Sequence, residues 1–143
     1  MNKFKRTKIV LLSIISTAFF LIPNSIGCQI TNYSENEVSD YIQTLIGGER
    51  EVSMTSGRAD LVHIDHAYEV EWANKWKESI GQCLWYALQL NKKPGIILLM
   101  RSKSDYKYFV QLNSTLEYSN LADKIRVLIF PNDFQDIIDK ANE

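Results

Sequence analysis

Glu69 and Glu71 stand two positions apart in the stretch Ala67 to Ala73, and Asp60 precedes them in the stretch Arg58 to Ile64. Side chains alternate across an extended strand, so Glu69 and Glu71 share one face while Tyr68, Val70 and Trp72 take the other. A two-residue hairpin turn at Asp65-His66 pairs Ile64 with Ala67, and counting outward sets Val62 opposite Glu69 and Asp60 opposite Glu71. Three carboxylates then crowd one surface. Directly opposite residues hold their Cβ atoms about 4.5 to 5.5 Å apart, and like charges there destabilise a sheet. The arrangement calls for a cation, a shared proton or open water, and oxygen ligands clustered in this way suit a hard ion, magnesium or manganese. A slip of one residue would send Asp60 to the other face. The plain alternative is the solvated face of an edge strand.

The elements that must hold these groups follow from hydrophobic period. Val38, Tyr41, Ile42, Leu45 and Ile46 form a helical stripe, opened by Ser34 with Glu37 as a capping box and ended by Gly47-Gly48. From Glu49 to Ala73 the period is two, which predicts strands at Glu49 to Met54, Arg58 to Ile64 and Ala67 to Ala73 as an antiparallel meander. A second helix, Lys75 to Leu90, has Trp76, Ile80, Cys83, Leu84, Ala87 and Leu88 on one face and is stopped by Asn91 and Pro94-Gly95. Gly95 to Met100 is a short apolar run that suits a buried strand. Asp105 to Tyr118 alternates at Tyr106, Tyr108, Val110 and Leu112 and is also helix-spaced at Tyr106, Phe109, Val110 and Leu116; its length favours a helix. Lys124 to Phe130 predicts a strand and Asp133 to Ala141 a last helix. The chain contains no repeat or low-complexity stretch.

Three local words in this order resemble the PD-(D/E)XK nucleases, also called restriction-endonuclease-like. They are Gly57-Arg58-Ala59-Asp60, Glu69-Val70-Glu71, and a helix carrying Gln82 ahead of the pair Tyr86-Ala87. The likeness covers about Glu37 to Met100. It implies an α/β fold with a restriction-endonuclease-like core: a mixed sheet with an antiparallel three-strand meander, flanked by helices in the order α-βββ-α-β-α-β-α. It also implies metal-assisted hydrolysis of phosphodiester bonds in DNA or RNA. Asp60, Glu69 and the backbone carbonyl of Val70 would ligate Mg2+ or Mn2+, and no small-molecule cofactor is implied. Glu71 would be a third ligand through water or a general base, and Gln82 would position water or a phosphate. One departure matters: the usual third-strand lysine is Glu71 here. Lys75 shares a side of the second helix with Glu78 and Gln82 and is the replacement candidate, with Lys77 second. Glu37 is the candidate first-helix carboxylate, its other role being the capping-box acid.

Other residue groups carry less. His63 and His66 resemble a metal sequence but lack two further convergent ligands. Arg50, Arg58, Arg101, Lys103 and Lys107 could rim a phosphate backbone or form a scattered solvated set. Trp72, Trp76 and Trp85 could stack on bases, though their apolar neighbours say core or interface first.

At the N-terminus, a basic start and the apolar run Ile9 to Ile22 lead to small residues at Ser25 and Gly27, so residues 1–27 read as an export signal and 28–143 as a single domain. The expected location is periplasmic or secreted. Ser25-Ile26-Gly27-Cys28 also resembles a lipobox, and a membrane anchor would follow only if Cys28 is lipidated. Cys28 and Cys83 make a poor disulfide framework, and Cys83 reads as a small core residue. Beyond residue 27 twelve Lys and Arg face seventeen acids, leaving −5, so the bulk charge shows no basic nucleic-acid glove and such binding would need a local patch or a bridging cation. The leading expectation is an exported metal-dependent nuclease acting on nucleic acid. The alternatives are a catalytically lapsed binding module on the same scaffold, or an envelope protein without nuclease activity.

Overall fold

The computed structural model describes residues 30–143. The export signal, the lipobox and Cys28 lie outside them. Among the described residues no helix is long and apolar enough to cross a membrane.

Helix α1, Glu35–Ile46, starts where the sequence puts it. Ser34 Oγ accepts the Glu37 N–H at 3.3 Å, and the Glu37 carboxylate accepts the Ser34 N–H at 2.7 Å. The chain leaves the helix through Gly47 at φ +77° and Gly48 at φ +104°, where a Cβ on Gly48 would lie 2.6 Å from the Val62 carbonyl. Three antiparallel strands follow: β1 Glu49–Met54, β2 Gly57–His63 and β3 His66–Trp72. A 3-10 turn, Ala73–Lys75, leads into helix α2, Trp76–Leu90. Then come β4 Lys93–Leu99, α3 Tyr106–Tyr118, β5 Arg126–Phe130 and α4 Gln135–Ala141. Asn91 in the left-handed conformation ends α2 by itself, its N–H reaching the Ala87 and Leu88 carbonyls. Gly95 lies in β4 as expected, and the strand also takes in Pro94, expected only as a helix stop; the two pair with Tyr68 and Ala67. Gly95 is needed there because the Tyr68 ring occupies the space a Cβ would take, 2.4 Å away.

The fold is α/β, with one five-stranded mixed sheet in the order β1-β2-β3-β4-β5, parallel from β3 onward. Strand order advances in one direction through β3-α2-β4-α3-β5, so crossovers of the same hand set both helices on one face. There α2 and α3 pack Trp76, Cys83, Leu112 and Leu116 on Ile96 and Leu98. The opposite face packs Val38 and Ile42 of α1 and Ile138 of α4 on Leu61, Tyr68, Val70, Ile97 and Leu99. β3 is buried along its whole length, which is unusual for a strand containing two glutamates.

The β2–β3 turn differs from the sequence expectation. His63 pairs with His66, so the two turn residues are Ile64 and Asp65 rather than Asp65 and His66. His66 is held in the strand by its ring, stacked on Tyr68 at 5.4 Å between centroids, and by Nδ1 against Asp65 Oδ1 at 2.6 Å. Moving the turn by one position changes the register by two residues, so face parity survives. Asp60 is carried opposite Glu69, not Glu71.

Candidate active site

Asp60 sits where the sheet opens on both sides. The β2–β3 pairs run from His63↔His66 to Leu61↔Tyr68 and stop, while in the β1–β2 ladder the row of Glu51 and Asp60 is skipped, with Glu51 at φ +55°. The groups freed by this gap find other partners. Asp60 Oδ2 accepts the Val70 N–H at 2.9 Å, and the Asp60 carbonyl accepts from Arg50 Nη1. Arg50 also binds Asp40 of α1 through Nε at 2.9 Å. It therefore ties α1 to the gap, and Arg58 is likewise occupied, 3.3 Å from Glu51, so of the two readings open for these arginines the phosphate rim gains no support.

Glu69 and Glu71 point from β3 into this gap and are only 5% and 7% exposed. With its amide nitrogen turned toward the carboxylate, Gln82 of α2 donates to Glu69 Oε1 at 3.1 Å and to the Glu78 carbonyl at 3.3 Å. Glu69 Oε2 is buried and meets no donor. Its neighbour is the Asp60 carboxylate, and a proton retained on Glu69 would let the two hydrogen-bond. Burial first, then the charges of Asp60, Glu71 and Glu35, push the Glu69 carboxyl up to about 9. Burial also raises Asp60, against the pull of the Val70 N–H and Arg50.

A fourth carboxylate completes the cluster, and it is Glu35; Glu37 takes the capping-box role that was its other reading. Glu35, in the first turn of α1, hydrogen-bonds Glu71, and burial together with that bond raises its carboxyl to about 8. Glu37 is exposed and committed to the capping box, its carboxyl held below the usual range by the Ser34 backbone and hydroxyl. Glu71 goes the other way. Burial alone would raise it, but hydrogen bonds from Glu35, the Trp72 N–H and Lys75 hold it low. Lys75 Nζ lies 3.1 Å from Glu71 Oε1. Lys77 instead points over the Trp76 ring, 5.9 Å from its centroid, so Lys75 is the lysine of this cluster.

The expected residues Asp60, Glu69, Glu71, Lys75 and Gln82 are thus brought together, with Glu35 added. The remaining candidates lie apart. His66 belongs to the β2–β3 turn with Asp65, Trp72 and Trp76 are buried, and Trp85 donates to the Ser56 carbonyl at 3.0 Å. Cys83 lies buried beneath the cluster, its thiol pushed up to about 12 by burial and by Glu69. Among the described residues no three His, Cys, Asp or Glu side chains are arranged to hold a metal ion. The carboxylates meet in two pairs, Glu69 with Asp60 and Glu35 with Glu71, each raising the carboxyl of one member, Glu69 and Glu35.

No protein-family model, curated protein or solved structure matches this chain.

Proposed function

We propose that this chain is an exported phosphodiesterase of restriction-endonuclease-like type that cleaves DNA or RNA with Mg2+ or Mn2+. The observation that supports the reading is the meeting of Asp60, Glu69, Glu71, Lys75 and Gln82 at the gap beside β3. The donor chemistry fits a hard dication: every carboxylate supplies oxygen, Glu69 Oε2 has no donor, and one divalent ion can replace two retained protons with no change in local charge. Asp60 and Glu69, with the Val70 carbonyl, would hold it. Such an ion lowers the pKa of water and offsets charge that builds on the phosphate. Glu71, kept ionised by hydrogen bonds from Glu35, the Trp72 N–H and Lys75, would accept the proton of the attacking water. Lys75 would take the part of the missing third-strand lysine, and Gln82 would orient Glu69 and the water.

The test is plasmid and RNA cleavage by purified protein with magnesium or manganese. Activity present in wild type and lost in Asp60→Ala and Glu69→Ala supports the reading; activity that survives both, or its complete absence in wild type, removes it. A second reading, a lapsed scaffold that binds without turnover, is favoured by the raised carboxyls of Glu69 and Glu35 and by Glu71 in place of lysine. It predicts calorimetric binding of manganese with no cleavage of either substrate.

A further inference from the structure

Of the twelve Lys and Arg in the described residues, four are paired with carboxylates and eight are not. Arg50, Arg58, Lys75 and Lys93 are each within 4.0 Å of a carboxylate. Arg101, Lys103 and Lys107 have no such partner among the described residues, and they cluster between the end of β4 and the first turn of α3. Arg101 stacks its guanidinium on Trp72, 3.8 Å from the ring centroid, and donates from Nη1 to Asn74 Oδ1 at 3.1 Å. Asn74 adjoins Lys75 in the 3-10 turn, and Lys75 bridges to Glu71, so contacts run unbroken from the carboxylate cluster to Arg101. The Arg101 N–H is fixed by Asp105 at 2.9 Å, which anchors the start of the next helix.

Lys103, Tyr106, Lys107 and Val110 then follow at i, i+3, i+4 and i+7, a single stripe along the 3-10 turn Lys103–Asp105 and α3. All four are exposed, with Tyr106 at 53% and Val110 at 49%. The Tyr106 ring is propped against Phe109 at 5.3 Å. From Tyr106 to Leu116 helix α3 carries no acid. Elsewhere acids outnumber bases, so two cations beside an exposed aromatic ring are a local exception, with Lys107 Nζ lying over the neighbouring Tyr108 ring at 4.8 Å from its centroid. Cations spaced along a surface take successive phosphates, and an aromatic face between them offers stacking to any base. A duplex hides its base faces, so the ring contributes only where bases are unpaired.

We propose that the stripe Lys103–Tyr106–Lys107–Val110, with Arg101, is a docking surface for single-stranded nucleic acid, which it delivers toward Glu71 and its neighbours. Phosphates sit on Arg101, Lys103 and Lys107, and one unpaired base stacks on Tyr106. The choice of substrate rests on the nuclease reading, but the docking surface can be measured without it.

The experiment is fluorescence anisotropy in EDTA with a short labelled strand of mixed sequence, alone and annealed to its complement. Wild type is expected to bind the single strand about tenfold tighter than the duplex, and Tyr106→Ala to lose about that factor for the single strand only. Tyr106→Phe should retain the affinity. Lys103→Ala/Lys107→Ala should flatten the dependence of log affinity on log salt by about 1.4. Lys124→Ala should change nothing, and matched melting temperatures exclude misfolding. Equal binding of strand and duplex, no binding of either, or an unchanged Tyr106→Ala overturns the proposal. Binding as expected without cleavage in magnesium or manganese would remove the nuclease reading and leave the surface standing. Cleavage by a protein in which Tyr106→Ala binds normally would do the reverse.

Discussion

At the scale of single residues, the proton retained on Glu69 makes the strongest commitment. Its carboxyl titrates near 9 in the folded chain and near its ordinary value of about 4.3 once unfolded. Between these limits the folded chain holds more protons, so stability falls as pH rises, by at most about 1.4 kcal/mol per pH unit for each retained proton. Glu71 acts in the opposite sense, but only as pH falls below the ordinary carboxylate range. In EDTA the melting temperature should therefore decline from pH 5 to pH 9, and Glu69→Gln should flatten the decline and melt higher at pH 8. A slope unchanged in Glu69→Gln would show that the proton is not there. Asp60, Glu69 and Glu71 were legible because alternation along a strand is a hard rule. Glu35 was not: it and Glu37 occupy the same first turn, the capping-box pattern makes Glu37 conspicuous, and only the approach of α1 to the end of β3 distinguishes them.

At the scale of elements, turns carried the errors and parity limited them. Asp65 and His66 have the composition of a turn, but His66 is buried by Tyr68 and the bend falls on Ile64, a β-branched residue at φ +21° and 80% exposed. Strain at such a site costs about 1 to 3 kcal/mol, so Ile64→Gly should raise the melting temperature by several degrees. A fall would mean that the Ile64 side chain has a packing role. Glu51 at φ +55° and the skipped row at Asp60 had no signature in the sequence, since nothing local marks where a ladder parts. The α1 cap did. Ser34→Ala should cost about 1 kcal/mol by thermal or urea unfolding. Because Glu35 stands in that first turn, the same substitution should also make the pH dependence of stability shallower.

At the scale of the whole molecule, the order α-βββ-α-β-α-β-α and the apolar run of β4 were readable from period alone, because strands buried on both faces lose their alternation. Which helices share a layer was not, as it depends on the direction in which strands are added. The layers explain why a cluster of four acids is sustainable: it lies at the end of β3, between α1 on one face and α2 on the other, with Lys75 supplied by the turn after β3 and Gln82 by α2. Magnesium or manganese in place of the retained protons should stabilise the fold, by about 2.7 kcal/mol at a hundredfold excess over the dissociation constant. The rise in melting temperature should be largest at pH 8 and absent in Asp60→Ala/Glu69→Ala. No rise at any pH would leave the cluster as a proton store alone.

Cys83, sealed between α2 and β4 behind Glu69, gives the molecule a built-in stopwatch. A thiol so shielded reacts with a maleimide only when α2 lifts off the sheet, so the alkylation rate of the peptide carrying it, followed by mass spectrometry, times that opening directly. Metal should slow the reaction if the carboxylates clamp α2 in place, and the extent of slowing would report how firmly the helix is latched.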